Sequence, residues 1–330
     1  MTLDALLANP VWLAPLAGVA DAPFRALCKE QGAGLTCTEM ISAKGLHYNP
    51  EGSGSARLLR LSPVEAPAAV QLFGAEPELM AEQAAAVAER LGKDLALVDV
   101  NMGCPVPKVV KRGEGSALMT TPDRAARIVS AMTAALEPYG VALTIKMRIG
   151  YDSGEDCAVD FALRMQDAGV ALITVHGRTR AQFYQGVSDD AAVIRVAEAC
   201  SVPVFASGDI LTAERALWFL EQTPVAGVAV ARGAIGRPWI FREIAQLRQG
   251  APEAAELSLE DRFALIRRHV ILARDWYGGE GVARLRRHLL RYSAGLAGAS
   301  YFRARISVAA SYEAVLELLD EYEAWLVEHD

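Results

Sequence analysis

Only five cysteines occur in the 330 residues: Cys28, Cys37, Cys104, Cys157 and Cys200. They are odd in number, widely spaced and contain no Cys-x-x-Cys. That argues against a disulfide framework and a zinc or other metal site, and it makes a reducing cytoplasm the expected compartment. No apolar run approaches the ~18 residues of a membrane span. No basic residue precedes Arg25, so the positive n-region of a signal peptide is missing. No repeat of 20–50 residues recurs, which excludes a solenoid. Aromatic residues are only 7% of the chain. A net charge of −7 argues against a uniformly basic nucleic-acid coat protein, but it leaves room for a local basic patch.

What is present is an ordinary globular mix, 52% hydrophobic and 22% charged. Eight short apolar or β-branched runs are expected as strands: residues 11–14, 35–39, 68–73, 97–101, 142–147, 172–176, 203–207 and 227–231. Helical spacing fills residues 22–30, 77–91, 122–136, 157–168, 189–199 and 212–222, with Thr121, Ser188 and Thr212 as expected N-caps. Residues 42–66 carry little helix signal, and Gly52-Ser-Gly54-Ser reads as a flexible loop. Near-continuous apolar strands alternating with helices mean a parallel sheet buried on both faces. Eight of them point to an α/β fold, a closed (β/α)8 TIM barrel over residues 1–245. The pattern then changes. Residues 251–256 form a small acidic linker, and three or more helices are expected after it, roughly at 258–277, 281–296 and 307–329. Residues 246–330 are therefore expected to be an all-helical domain.

The strand ends carry the chemistry, because the C-terminal strand ends of such a barrel form its active face. They read Pro15-Leu16-Ala17-Gly18, Glu39, Gln71, Asn101 with Cys104, Lys146 with Arg148, His176 with Arg178, Ser207-Gly208-Asp209, and Arg232-Gly233. Glycines after strands seven and eight, with Arg232, suit a phosphate. Gly113-Glu-Gly115 lacks the third glycine of a nucleotide loop. Lys146 can form a Schiff base or stand as a fixed cation. His176 can meet a phosphate or sit as a satisfied core histidine, whereas His47, His269 and His288 read as solvated or interfacial. Cys104, in Asn101-Met-Gly-Cys104-Pro, is held by a sharp turn and can act as general acid or nucleophile. The other four cysteines read as buried and inert. Ten arginines between residues 262 and 305 face only Asp275 and Glu280, whereas the chain from Ile306 holds seven acids and no lysine or arginine. Such a stretch suits RNA phosphates; it equally suits ion pairs with the acidic tail and the barrel.

Several motifs together carry a family resemblance: Leu13-Ala-Pro-Leu-Ala-Gly18, Val70-Gln71-Leu-Phe-Gly74, Val100-Asn101-Met-Gly-Cys104-Pro105, Lys146-Met-Arg148, Thr174-Val-His176-Gly-Arg178-Thr179 and Gly236-Arg-Pro-Trp-Ile-Phe241. In order and spacing the chain resembles the tRNA-dihydrouridine synthases, most of all their bacterial B-type branch. The resemblance implies an FMN barrel, NADPH (or NADH) as reductant, tRNA as partner and a monomer. It also implies reduction of the 5,6 double bond of a tRNA uridine to dihydrouridine. Carried over, the flavin contacts are Pro15, Leu16, Ala17, Gln71, Lys146, His176, Ser207, Gly208, Asp209, Ala231 and Arg232. Cys104 is the expected catalytic acid, and Asn101, Arg178, Arg286 and Arg287 the expected substrate contacts. The chain departs from the family's pattern at Ser207, where Asn is usual, and at Ala231, where Gly is usual. Three other readings stand beside this one: a lysine Schiff-base aldolase, a flavin barrel acting on a free pyrimidine, and a non-catalytic tRNA-binding protein.

Overall fold

A computed structural model describes residues 2–152, 154 and 157–329. Its strands are β1 (Val11–Leu13), β2 (Ile41–Ser42), β3 (Ala68–Phe73), β4 (Leu95–Met102), β5 (Ala142–Arg148), β6 (Leu172–His176), β7 (Val204–Ser207) and β8 (Gly227–Val230). All pairings are parallel, in the order β1-β8-β7-β6-β5-β4-β3-β2. Every residue of β4 is buried, as a strand covered on both faces requires. The sheet curls into the (β/α)8 barrel.

The second stave departs from expectation. Residues 35–39 form no continuous strand. Thr36 bridges Leu13 and Cys37 bridges Ala69, and a two-residue strand follows at Ile41. The run Thr36-Cys37-Thr38-Glu39 is too polar to stay paired along its length, and Glu39 turns to the Gly18 amide instead. The six barrel helices lie within one residue of their expected bounds. Two caps differ. Asp189, not Ser188, accepts from the Ala192 amide and caps Asp190–Ala199; a carboxylate is the stronger acceptor for a helix N-terminus. Thr121 makes no cap hydrogen bond, whereas Thr212 caps its helix as expected. Residues 42–66 carry more helix than their weak signal suggested, and the expected loop Gly52-Ser-Gly54-Ser runs into a helix at Gly54. They hold the short helices Ala43–Tyr48 and Gly54–Leu58, capped by Ser42 and Ser53.

The expected division after residue 245 cuts through helix Ile240–Arg248. Ile240, Phe241, Ile244 and Leu247 of that helix belong to the barrel's core, so the connection to the tail is residues 249–258. Four tail helices follow, Leu259–Tyr277, Val282–Tyr292, Ala299–Val308 and Tyr312–His329, in keeping with the three or more expected; Ala299–Val308 had no expected span of its own. Their own core gathers Phe263, Val270, Leu289, Phe302, Val315 and Tyr322, and Trp239 enters it from the barrel side.

The two units meet around helix Ala22–Glu30. Phe24, fully buried, packs on the rings of His288 (4.2 Å) and His269 (5.8 Å). Those two histidines are thus interfacial, and His47 pairs with Glu82 at the surface. Tyr277 donates to Asp21 at 2.8 Å, and Arg268 pairs with Glu30. Gly236, at φ +73°, lets the chain after β8 approach the backbone of Arg291 so closely that any Cβ there would collide with it.

Candidate active site

Alternation along β3–β6 points Gln71, Asn101, Lys146 and His176 into the barrel mouth, and the register pairs Asn101 with Lys146. A cavity of about 510 Å³ opens there. All eleven expected flavin contacts line it. Pro15, Leu16 and Ala17 come from the β1 loop; Gln71, Lys146 and His176 from strand ends; Ser207, Gly208, Asp209, Ala231 and Arg232 from the last two loops. Asn101 and Cys104 line it too. Arg178, Arg286 and Arg287 do not.

The β7 loop is shaped for close approach. Gly208 has φ +110°, and a Cβ there would overlap Ser188 Oγ and the His176 ring. Asp209 follows with a left-handed φ of +49°, held by its side-chain partners. The amides of Gly208, Asp209 and Ile210 donate to no protein acceptor among the described residues. Backbone donors without a protein acceptor, beside Arg232 and ahead of the Thr212-capped helix, make an anion cradle. The Ser207 and Ala231 departures leave these amides unchanged. The Asp209 carboxylate is already committed. It accepts from Arg178 Nη1 (2.9 Å) and Nη2 (2.6 Å), from the Ser188 amide and from Arg232 Nη2. Burial would raise it, yet Arg178, the Ser188 amide and Arg232 hold it below its ordinary value.

Arg178 sits beneath the rim, 2% exposed. Besides Asp209 it donates to the carbonyls of Gln185 (3.1 Å) and Gly186 (2.7 Å), and it lies 3.4 Å from His176 Nε2. The expected substrate contact is a fastener of the β6 loop. His176 is neutral: burial first, then Lys146, Arg148, Arg178 and Arg232, hold its pKa far below the usual imidazole value.

Cys104 sits on a turn pinned from several sides. Asn101 Oδ1 accepts from the amides of Gly103 (3.2 Å) and Cys104 (2.9 Å), and the Cys104 carbonyl accepts from Ser116 Oγ at 2.8 Å. Burial pushes the thiol up, more than the Val106 amide, Arg148 and Lys146 pull it down. It is therefore a protonated acid at neutral pH rather than a thiolate. Burial, and then Arg148, lower Lys146 to about 8 against the pull of Asp99. Among the described residues its ammonium has no ion-pair partner, so it stands as a cation free for a ligand. Cys28 and Cys37 are buried, whereas Cys157 and Cys200 are half-buried rather than sealed in the core.

Among the lining residues not singled out as contacts from the sequence, two carry polar side chains, Arg148 and Tyr184. Arg148 donates to Gly103 O (2.8 Å) and to the Thr179 and Phe183 carbonyls, tying the Cys104 turn to the β6 loop. Tyr184, half exposed, lies between the guanidiniums of Arg148 (5.8 Å) and Arg232 (5.3 Å). Arg148 was visible as a strand end; Tyr184 lies in a loop that no periodicity marks.

The tail arginines divide. Arg267 pairs with Asp320 and Glu323, Arg305 with Glu321, Arg268 with Glu30 and Arg274 with Asp275. Arg286 and Arg287 instead donate to carbonyls, Ala309 O (3.0 Å) and Gly18 O (2.9 Å), and no carboxylate among the described residues pairs with them.

A family model described as dihydrouridine synthase (Dus) matches residues 12–327. A probable tRNA-dihydrouridine synthase of Rhodobacter capsulatus is 39% identical over 321 residues, 97% of this chain and 96% of that protein. The tRNA-dihydrouridine synthase B of Pseudomonas aeruginosa is 37% identical over 302 residues, covering 91% and 89%. Among solved structures, an old yellow enzyme homologue from Zymomonas mobilis superposes with a TM-score of 0.51 at 12% identity, over 77% of this chain and 92% of that one. That likeness is one of fold.

Proposed function

Because the chain belongs to the dihydrouridine synthase family, we propose that it is an FMN-dependent tRNA-dihydrouridine synthase, reducing a tRNA uridine at the expense of NADPH or NADH. The observation that carries this reading is one cavity lined by an anion cradle, a half-buried lysine with no ion-pair partner among the described residues, and a protonated thiol. The residues suit FMN. The free amides of the β7 loop with Arg232 would take the phosphate, and Gln71 and Lys146 would face the ring system. When bound, FMN supplies the hydride that uracil C6 receives and is itself re-reduced by NADPH.

The chain's own residues supply the rest. Cys104 keeps its proton at neutral pH and gives it to C5, so that one hydride and one proton complete the saturation. The Lys146 ammonium offsets negative charge that gathers at the ligand, in a site where burial strengthens the attraction. Asn101 lines the mouth beside the thiol; with its amide bonded to Gln71 and to the Cys104 turn, what it can offer a base edge is the second N–H, which meets only the Met40 sulfur at 3.9 Å. Arg148 and Tyr184 form the outer wall. A base in stacked RNA does not reach such a mouth, so the target uridine would leave its stack. The uncompensated arginines, Arg286 and Arg287 among them, offer charge to tRNA phosphates, and Arg178 supports the site from below. Among the described residues, no helix is long and apolar enough to cross a membrane. We take the enzyme to act in the cytoplasm as a monomer.

The test is incubation of the purified protein with unmodified tRNA and NADPH, followed by mapping of dihydrouridine. A yellow protein releasing FMN and one new dihydrouridine position are expected. Colourless protein that FMN does not reconstitute would refute the flavin. Reduction of free uracil with tRNA untouched would favour an enzyme of free pyrimidines.

A further inference from the structure

Gln71, Asp99 and Thr144 stand at one level of three adjacent strands, paired as Gln71↔Asp99 and Asp99↔Thr144. Neighbours in register point to the same side of a sheet, here the barrel interior beneath the cavity. Asp99 is buried and does not line the cavity. Its Oδ1 accepts from Thr144 Oγ1 at 2.6 Å and its Oδ2 from Gln71 Nε2 at 2.7 Å. Gln71 Oε1 accepts from Asn101 Nδ2 at 2.7 Å. Asn101 Oδ1 then accepts from the amides of Gly103 and Cys104.

This series has a direction. A carboxylate only accepts, and a side-chain amide has one donating end and one accepting end. With Asp99 ionised, Gln71 must turn its NH₂ toward it. The Gln71 oxygen is then left for the Asn101 NH₂, and the Asn101 oxygen for the turn. Reversing any member would set two donors face to face in a buried place, which is costly. Burial raises the Asp99 carboxyl to about 6, against the hydrogen bonds from Gln71 and Thr144 and the charge of Lys146, so it is ionised at neutral pH. No ion pair joins Asp99 to Lys146 among the described residues.

We propose that Asp99 is a positioning residue: as an acceptor at the foot of the series it sets the orientation of two amides and so holds the backbone turn that carries the Cys104 thiol. The reaction itself rests on the reading given above; the hold on the turn does not.

Three variants test it, read by hydrogen exchange of the peptide amides of Gly103 and Cys104 and by single-turnover product formation. Asp99→Val removes the acceptor. Exchange at the turn should speed about tenfold, the scale of one or two hydrogen bonds removed. Product formation should slow comparably, in kcat rather than in KM for tRNA. Asp99→Asn removes the charge but keeps an acceptor for Gln71, because its NH₂ can donate to Thr144 Oγ1. It should stay within about twofold of the native turn exchange. Asp99→Val/Asn101→Asp supplies an acceptor-only group directly at the turn and should restore slow exchange there without Asp99. Equal effects of Asp99→Asn and Asp99→Val would show that charge acting on Lys146 matters instead, and would overturn the proposal. So would native exchange in a folded Asp99→Val protein. Should Asp99→Val not fold, fast turn exchange in Asp99→Asn alone would overturn it. Exchange behaving as expected in a protein that forms no dihydrouridine would leave the positioning role standing and remove the proposed reaction.

Discussion

Arg178 offers the sharpest test of how the rim is built, through the substitution Arg178→Lys. The arginine serves five acceptors: the Gln185 and Gly186 carbonyls, both Asp209 oxygens and His176 Nε2. Lysine keeps the charge but has three donors on one nitrogen, so at least two of these five hydrogen bonds are lost, although Asp209 keeps those from Arg232 and the Ser188 amide. Each hydrogen bond to a charged group is worth about 1.5–3 kcal/mol. The sum is about 2–4 kcal/mol, since the two bonds share one neighbourhood and their costs do not simply add. For a unit of this size that corresponds to a fall in Tm of roughly 5–10 °C. Calorimetry of the FMN-loaded protein reads the fall, and a tRNA titration below the transition reads affinity. A fastener predicts a large fall in Tm with affinity changed less than about threefold. A Tm within about 1 °C of the parent, combined with a clear loss of tRNA affinity, would refute the reasoning and return Arg178 to the substrate surface.

Other outcomes follow from the same geometry. Cys104→Ala should keep FMN and still be reduced by NADPH, while product formation falls by roughly 10²–10⁴; unchanged tRNA reduction would remove the thiol from the mechanism. Lys146, lowered to about 8, is a cation below that pH and neutral above it. FMN affinity measured by fluorescence should therefore weaken from pH 7 to 9, and Lys146→Arg should flatten that dependence; an equal slope in both proteins would mean that Lys146 does not meet the flavin. In Arg286→Ala/Arg287→Ala, the log–log salt slope of tRNA binding should become shallower by roughly 0.7–0.9 for each phosphate that is no longer neutralised. An unchanged slope in a variant of normal Tm would place these arginines off the RNA.

The barrel could be read from sequence because a strand sandwiched between core and helix is mostly apolar, and β3 to β8 are. The second stave hides because Thr36, Cys37 and Glu39 mix polar side chains into a segment that pairs at only two points. The helices of residues 43–58 hide because five or six residues give too little periodicity. Strand-end residues such as Gln71, Lys146 and His176 stood out because polar groups recur at the ends of several buried runs on one face of the barrel. Arg178 looked similar on those grounds. Only its neighbours, brought from the β6 and β7 loops, show that its donors are spent. Asp99 was invisible for the converse reason: it lies inside a strand, two residues before the conspicuous Asn101, and its meaning depends on what stands beside it on β3 and β5.

The barrel's thinnest joint lies where the β1 loop and the second stave meet, and the tail grips that same place. Arg287 reaches Gly18 O, His288 reaches Val19 O at 3.1 Å, Tyr277 reaches Asp21, and Phe24 is clasped by two tail histidines. Glu39 holds the Gly18 amide from the other side. The tail therefore works as a splint. The loop it holds at Gly18 and Val19 is the one whose Pro15, Leu16 and Ala17 line the cavity. The tail and the cavity wall are therefore joined over a path of one helix and one loop, without the flank of β3 to β6 between them.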